Sequence, residues 1–319
     1  MQIQRKSRLS IGYFEKTYPT YMGYVYAILT NILLVFGNLF IQNVSKNFTS
    51  NQVLYFVGVQ LASYSFITTK HNKVPTCHST PRITRMLILR AVLGFSGAIF
   101  FYKGMSVVPL AEGTVVQMLT PIITGILALL FLKEKYDITL LLSTIFSVIG
   151  VLFVNKPGFL FGETVPSDKS YPDQTFGLFL LLVSSFLGSI SQVILKKLGS
   201  VSNPFTTSFY LGIGFSISAS IAVVLQGIKN PSLSVYIWLP MLGLVRFLIH
   251  ALMGKSYAFG DAGKISLISY AQVPIAFIVD IFIVGRNPDL YSILGSFSVF
   301  SSVFIMLYKH YKQGNLVKK

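Results

Sequence analysis

The sequence predicts an all-α integral membrane protein with ten transmembrane helices in two inverted-topology five-helix repeats. Composition is the first observation: 53% of the 319 residues are hydrophobic, only 11% are charged, and the mean hydropathy is +0.66. A soluble globular domain carries about 25% charged residues. The second observation is that the charges are grouped between long uncharged stretches, and the third is that the second half of the chain repeats features of the first.

Each uncharged stretch is long enough to cross a bilayer. The hydrocarbon core is about 30 Å thick, and an α-helix of about 20 residues spans it at 1.5 Å per residue. We predict ten spans, at residues 21–41, 51–69, 86–102, 111–132, 138–154, 176–195, 205–226, 235–254, 264–284 and 290–308.

An internal repeat is visible in the stretch 109–135 and its later copy. A shift of 153 positions places Pro121 on Pro274 and Lys156 on Lys309. We predict that both prolines are helix kinks, because between packed membrane helices a proline is tolerated as a kink or local opening. Each half holds five spans, an odd number, so the second half must enter the membrane from the opposite side. Inverted repeats of this kind recur in secondary transporters.

The resulting domain organisation has five regions. They are a basic cytoplasmic arm (1–20), the first five-helix repeat (21–155), an inter-repeat loop (156–175), the second repeat (176–309) and a basic cytoplasmic tail (310–319). With the N-terminus placed in the cytoplasm, 18 Lys and Arg fall on the inner side and six on the outer side. This bias follows the positive-inside rule, so we predict that both termini are cytoplasmic.

The formal charge of +16 could indicate nucleic acid as a partner, but the basic residues lie at helix ends and not on one continuous face. We therefore expect a lipid bilayer and a small-molecule solute as partners, and no nucleic acid. A homodimer stays open. No nucleotide-binding loop, metal-ligand cluster or nucleophile–base spacing is present in the sequence, so we expect no cofactor, no metal and no enzymatic activity.

Arg246 and His250 are the first candidates for a solute site. An arginine near the middle of a span costs at least ~2.5 kcal/mol, which makes it a functional candidate. His250 follows one helical turn later, so both side chains project from one face. One interpretation is a patch in the central cavity that faces an anion. The other is an arginine that holds helices together through backbone carbonyls or through Asp280.

Asp280 is the intramembrane acid of the second half. It could pair with Arg246 or Arg286, or act as a proton-coupling group. Arg90, about one turn inside span three, is expected to extend along the helix to the membrane interface.

Neutral polar residues recur at matched positions in the two halves. A shift of 154 places Asn38 on Gln192, while Gln117 and Tyr270 each precede the proline of their repeat by four residues. Polar groups at equal depth in both halves are what a shared midplane site requires, although amides and hydroxyls can also bridge helices.

These motifs together resemble the drug/metabolite transporter superfamily, and in particular its EamA-type ten-helix transporters. The resemblance is strongest over residues 86–157, in Val107-Val108-Pro109, Thr120-Pro121, Lys133-Glu134 and Ile149-Gly150-Val151. The second half departs at Asn287, which stands where the first half has Glu134. The resemblance implies a carrier for small organic solutes, with a cavity walled by helices from both halves.

The function we expect is secondary-active transport of a small organic metabolite by alternating access, with an anionic solute favoured by the basic residues. A nucleotide-sugar or sugar-phosphate antiporter of the same superfamily is the alternative within transport. A membrane-embedded acyl-transfer enzyme and a non-transporting membrane scaffold are the alternatives outside it.

Overall fold

A computed structural model describes residues 11–45, 49–77, 80–162, 173–226, 233–285 and 287–316, and every regular element among them is helical. The α-helices are α1 (Ile11–Thr17), α2 (Pro19–Ser45), α3 (Ser50–His71), α4 (Pro81–Met105), α5 (Leu110–Gln117), α6 (Thr120–Leu127), α7 (Ile138–Asn155), α8 (Gly158–Phe161), α9 (Gln174–Gly199), α10 (Pro204–Gln226), α11 (Leu233–Phe259), α12 (Ala262–Ile268), α13 (Gln272–Val279) and α14 (Leu290–Leu316).

Seven helical segments of the described chain are long and apolar enough to cross a membrane. They are Pro19–Asn38, Pro81–Met105, Ala111–Leu132, Ile138–Asn155, Gln174–Gly199, Ala262–Ile283 and Leu290–Lys309. The chain is therefore an integral multi-pass membrane protein. The other three predicted spans lie within the long helices α3, α10 and α11, and their passage through the membrane stays a prediction.

The helices form two compact units, each of which takes helices from both halves of the sequence. Unit 1 comprises Met1–Val92 and Ile194–Ile265, and unit 2 comprises Leu93–Val193 and Ser266–Lys319. The division passes through α4, α9 and α12. Unit 1 is built mainly from α2, α3, α10 and α11, and unit 2 mainly from the helices α5 to α9 with α13 and α14.

In unit 1, α3 and α10 pack antiparallel through glycines. A Cβ atom on Gly58 would lie 2.7 Å from the backbone nitrogen of Ser216, and one on Gly212 would lie 2.5 Å from that of Ala62. Small residues at these positions let the two backbones approach closely. The two contacts are reciprocal, because Gly212 and Ser216 lie 154 positions after Gly58 and Ala62 respectively. This shift is the one that aligns the two predicted repeats.

In unit 2, α7 packs antiparallel against α14, with contacts from Lys156–Asp289 at one end to Asp137–Lys309 at the other. The Oγ atoms of Ser147 and Ser302 are 2.6 Å apart, and a Cβ atom on Gly150 would lie 2.5 Å from the carbonyl oxygen of Gly295. The residue numbers in contact increase along α7 while they decrease along α14, so the two helices are antiparallel.

Two interrupted helices of unit 2 have the same construction. In the first, α5 ends at Gln117, α6 begins at Thr120, and a π-helical turn (Ala128–Leu132) leads to the left-handed residue Lys133. In the second, a 3₁₀ turn (Ser269–Ala271) separates α12 from α13, and a π-helical turn (Asp280–Val284) leads to the left-handed residue Gly285. The two π-helical turns begin 152 positions apart, so the same irregularities recur at the repeat distance.

Candidate functional site

The predicted site residues fall into two groups, one in each unit. Asn38, Arg246 and His250 belong to unit 1. Gln117, Gln192, Tyr270 and Asp280 belong to unit 2 together with Pro121 and Pro274.

In unit 1 the structure brings Arg246 together with Asn38. The Arg246 guanidinium on α11 donates a hydrogen bond to the side-chain oxygen of Asn38 on α2, at 3.1 Å. His250 lies one turn further along α11, beside the ring of Phe215 at 6.4 Å between centroids. Its Nδ1 atom is buried and has no hydrogen-bond partner in the part of the chain that the structure describes. Buried polar atoms without a hydrogen-bond partner are uncommon in folded proteins, so this nitrogen stands out among the predicted site residues.

Arg90 is a residue whose placement the sequence prediction missed. The expected extension to the membrane interface is wrong, because Arg90 is only 3% exposed and is enclosed by neighbouring helices of unit 1. Its guanidinium donates to the backbone oxygen of Thr207 on α10 at 3.0 Å. Arg90 and His250 both contact α10, at Thr207 and Phe215 respectively, and Arg246 precedes His250 by one turn of α11. Three basic side chains, which we call the basic cluster (Arg90, Arg246 and His250), therefore occupy one region of unit 1.

In unit 2, hydroxyl groups bind the backbone oxygens of the interrupted α5–α6 helix. A proline has no backbone N–H and clashes with the carbonyl four residues before it, so a break near Pro121 frees acceptors in a region with no water. Side chains of α9, α12 and the 3₁₀ turn supply the donors: Ser185 to Val116 O, Tyr270 to Met118 O, Ser189 to Thr120 O and Ser266 to Pro121 O, at 2.7–3.4 Å.

The polar candidates of unit 2 therefore bridge helices. Tyr270 is completely buried, and its hydroxyl lies 2.7 Å from Met118 O. The Gln117 amide donates to Leu181 O at 3.1 Å, and the Gln192 oxygen accepts from Thr124 at 3.1 Å. These bonds correspond to the helix-bridging interpretation given in the sequence analysis. A role of the three residues in solute binding stays a proposal.

Asp280 opens the second π-helical turn and is half-buried. Arg286, one of its two predicted partners, lies outside the described residues, and Arg246 belongs to the other unit. Both the ion-pair and the proton-coupling role of Asp280 stay predictions.

Unit 1 also contains a cavity of about 620 Å³ that the sequence did not predict. Its wall includes Glu15, Phe205, Lys255 and Phe259, together with the α9–α10 connection. The volume lies in the range of about 300–1,000 Å³ that is typical of small-molecule sites. Apolar rings and one acid–base pair line this space, which is open to the surface.

Glu15 of α1 holds that cavity wall together. Lys255 donates to its carboxylate at 2.7 Å, Tyr26 donates a second hydrogen bond, and the Lys255 ammonium lies over the Tyr26 ring at 5.1 Å. Burial raises the pKa of Glu15, but the hydrogen bonds from Lys255 and Tyr26 and the charge of Lys255 lower it more. The pKa of this carboxyl therefore lies below its ordinary value. No charge pattern along the sequence could have revealed a pair 240 positions apart.

Among the described residues, no group of three or more His, Cys, Asp or Glu side chains could hold a metal ion.

Comparison with known proteins matches this chain to a protein family. The pattern of the EamA-like transporter family matches residues 21–156 and, a second time, residues 175–308. Human solute carrier family 35 member G1 is 27% identical over 88% of this chain and 77% of its own length. The S-adenosylmethionine uptake transporter of Rickettsia bellii is 26% identical over 70% of this chain and 73% of its own. A solved crystal structure, 12% identical, has a TM-score of 0.74 over 89% of this chain and 94% of the other, which shows a shared fold.

Proposed function

The chain belongs to the EamA-like transporter family, and from this membership we propose that it is a secondary-active transporter that moves a small organic metabolite by alternating access. Its relatives are named as transporters, which points to a protein that is not an enzyme.

The reciprocal packing of α3 with α10 is the observation that carries the mechanism. Gly58 contacts Ser216 while Ala62 contacts Gly212, and both pairs are related by the same sequence shift. Contacts exchanged in this way are those of a local twofold axis perpendicular to two antiparallel helices. Such an axis supports two repeats of opposite orientation, with boundaries at 21–155 and 176–309. The two separate family matches support the same division.

Two inverted halves explain alternating access. Because the halves have similar structures, exchanging their conformations converts an inward-open arrangement into an outward-open one of similar energy. The interrupted α5–α6 helix suits this exchange, since side-chain hydroxyls bind the backbone oxygens at its break. Pro121 and Pro274 mark the two breaks. Energy would come from a solute gradient, from exchange or from protons.

The basic cluster favours an anionic solute. Arg246 and His250 project from the same face of α11, and Asn38 adds an amide to the Arg246 side chain. Guanidinium groups recognise carboxylates and phosphates through paired hydrogen bonds. Gln192, Gln117 and Tyr270 stay candidates for solute binding within unit 2, and Asp280 stays a candidate coupling or ion-pair residue.

A second solute class follows from the relatives' names. The Rickettsia relative is named for S-adenosylmethionine uptake, and that molecule carries a sulfonium cation. Two arginines would repel the sulfonium. We therefore place an organic anion first, and a nucleotide-sugar or sugar-phosphate antiporter is the variant of this proposal in which phosphate groups carry the negative charge.

Transport is tested in proteoliposomes. We expect uptake of labelled organic anions to exceed that of neutral and cationic solutes of equal size, relative to protein-free vesicles. Arg246→Gln should abolish uptake while the protein still folds and inserts. Acceleration by a preloaded sugar phosphate would identify an antiporter. If none of these anionic, neutral and cationic solutes is taken up or changes the conformation of the protein, a membrane scaffold would be favoured.

The inverted orientation has its own test. Cys77 is the only cysteine in the sequence, so a Cys77→Ser background permits single-cysteine labelling. Lys135 and Asn287 are exposed and lie in corresponding loops of the two halves. Impermeant maleimides should label Lys135→Cys from the cytoplasmic side and Asn287→Cys from the opposite side. Labelling of both from one face would overturn the inverted repeat.

A further inference from the structure

We propose that the cavity of unit 1 binds a small carboxylate with an apolar body, and that Glu15 of α1 stands in the place of the ligand's carboxylate. Lys255 and Tyr26 are the groups that bind this carboxylate. The site shares no residue with the basic cluster, and the inference stands independently of the proposed transport function.

Lys255 and Tyr26 together hold one carboxylate oxygen. The Lys255 ammonium and the Tyr26 hydroxyl both donate to Oε1 of Glu15, the ammonium at 2.7 Å. The ammonium also lies over the Tyr26 ring at 5.1 Å, and that ring stacks on Phe259 at 6.3 Å between centroids. Because the two donors belong to the long helices α2 and α11, they stay in place when the carboxylate comes from another molecule.

Glu15 is presented by a short helix with few other attachments to unit 1. α1 has seven residues, and its positions 12–17 are exposed apart from Glu15, which is half-buried. A helix of this length is not stable by itself in water. The ion pair that holds it is partly exposed, with 20% of the Glu15 side chain and 33% of the Lys255 side chain accessible, and such pairs contribute little stability. A carboxylate ligand can therefore displace Glu15 without disturbing the long helices.

The cavity lies beside this pair. Glu15 and Lys255 both line its volume of about 620 Å³, and so do the rings of Phe205 and Phe259. Further apolar lining comes from Val74, Pro75, Val201, Pro204 and Ala258. A ligand whose carboxylate binds Lys255 would bury its apolar body against these side chains, which adds a hydrophobic contribution that Glu15 does not make. The opening to the surface lets such a ligand enter without separating helices.

The segments around the cavity carry an excess of positive charge. Residues 11–18, 70–77, 194–204 and 255–265 contain seven lysines and two acids, Glu15 and Asp261. Asp261 pairs with Lys264 at 2.7 Å. Clefts with charge of one sign raise the local concentration of oppositely charged ligands. This excess favours an anion that replaces Glu15 over an amine that would replace Lys255.

The ligand chemistry is a carboxylate on an apolar body, which can reach the cavity from water or from the bilayer. Sodium benzoate represents the first source and sodium octanoate the second. Benzamide and octanamide have nearly the same shapes without the charge, and benzylamine has the opposite charge.

The test uses the purified full-length protein in detergent and measures two quantities for each compound. One is the melting temperature, which a ligand of the folded state raises according to its Kd. The other is amide hydrogen exchange over residues 11–17, which reports whether α1 is released. We expect a carboxylate, but neither its amide nor benzylamine, to raise the melting temperature and to accelerate this exchange. The carboxylate that binds more tightly identifies the source.

Variants then assign the binding groups. Lys255→Gln removes the cation, so the Kd for that carboxylate should rise at least about tenfold. Glu15→Gln removes the competing charge and should lower the Kd about two- to fivefold. Lys197→Gln removes an exposed charge at the end of α9 and should leave the Kd unchanged. If Lys255→Gln does not fold, Tyr26→Phe, which keeps the ring and loses the hydroxyl, should raise the Kd.

Three results would overturn the inference. The first is that neither carboxylate binds more tightly than its amide and than benzylamine. The second is carboxylate binding that leaves exchange over residues 11–17 unchanged in the wild type. The third is an unchanged Kd in Lys255→Gln or, where that variant does not fold, in Tyr26→Phe. A protein that takes up solutes in proteoliposomes but binds neither carboxylate would overturn this site alone. Carboxylate binding that needs Lys255, in a protein that transports nothing, would support the site and overturn only the transport proposal.

Discussion

Lys156 and Asp289 form an ion pair at one end of α7 and α14, with 2.6 Å between the ammonium nitrogen and a carboxylate oxygen. At the other end Lys309 pairs with Asp137 at 2.8 Å. Lys309 lies 153 positions after Lys156, and Asp289 lies 152 after Asp137. The two pairs are therefore exchanged by the repeat shift, in the same way as the glycine contacts of unit 1.

Asp289→Asn should lower stability modestly at neutral pH. The pKa of Asp289 lies below its ordinary value of 3.8 because Lys156 and Ser292 hydrogen-bond to its carboxylate. A depressed pKa means that the stabilisation is present above 3.8 and is lost as the pH falls through the lower folded-state value. Since the pair is partly exposed, we expect a loss of about 0.2–1 kcal/mol. Thermal unfolding should show a constant difference between the wild type and the variant above pH 3.8, and a difference that shrinks progressively as the pH falls below 3.8.

The control for this prediction is a double-variant cycle with Lys156→Met. If the two residues interact, the second substitution should add little to the first. Full additivity of the two losses would show that the pair contributes nothing.

Gly150→Ala should destabilise the protein, whereas Gly188→Ala should not. A Cβ atom on Gly150 would lie 2.5 Å from Gly295 O and 2.7 Å from a Val299 methyl, and nothing lies within 4 Å of one on Gly188. Overpacking costs about 1–3 kcal/mol, while alanine in an open helical position gains about 0.5–1 kcal/mol over glycine. The melting temperatures of the two variants are compared in the same detergent. Equal changes in melting temperature would contradict the close approach of α7 and α14.

Much of this architecture follows from the sequence. Hydropathy locates the helices, and the interruptions at Gln117–Thr120 and Ser269–Ala271 each precede a proline, Pro121 or Pro274, that repeats at a fixed distance. The Lys156/Lys309 match was visible in the sequence, and extending the search to Asp137 and Asp289 would have found both ion pairs.

The basic cluster could be predicted only in part. Arg246 and His250 share a helix face, so local periodicity brings them together, but Arg90 joins them through the packing of α4 against α10, which depends on contacts far apart in sequence. The Glu15–Lys255 pair has the same cause. Contacts between helices that are distant in the chain depend on how the helices pack. A single sequence reveals such contacts only where corresponding residues of an internal repeat can be aligned.

Tyr270→Phe tests whether this residue bridges helices. Removing the hydroxyl of the fully buried Tyr270 takes away the 2.7 Å donor of the carbonyl of the half-buried Met118. An unsatisfied buried acceptor costs about 1–3 kcal/mol, so we expect that loss in unfolding free energy. Tyr308→Phe, at a residue that is 60% exposed, is the matched control and should be neutral. A normal melting temperature with a raised KM for transport would instead assign Tyr270 to the solute site.

Glu15→Gln should release α1 from the rest of unit 1. The wild-type carboxylate accepts hydrogen bonds from Lys255 and Tyr26, and the pKa of Glu15 lies below its ordinary value of 4.5. The attachment is therefore present at neutral pH and weakens as the pH falls below that value. We expect faster amide hydrogen exchange over residues 11–17 in the variant at pH 7, and the same change in the wild type on acidification. Lys16→Gln, on the same helix but at an exposed position, should exchange like the wild type.

Because Glu15 also lines the cavity of unit 1, release of α1 should expose Lys255 to impermeant amine reagents. Protected exchange over 11–17 in Glu15→Gln would show that apolar packing, and not the ion pair, holds α1 in place.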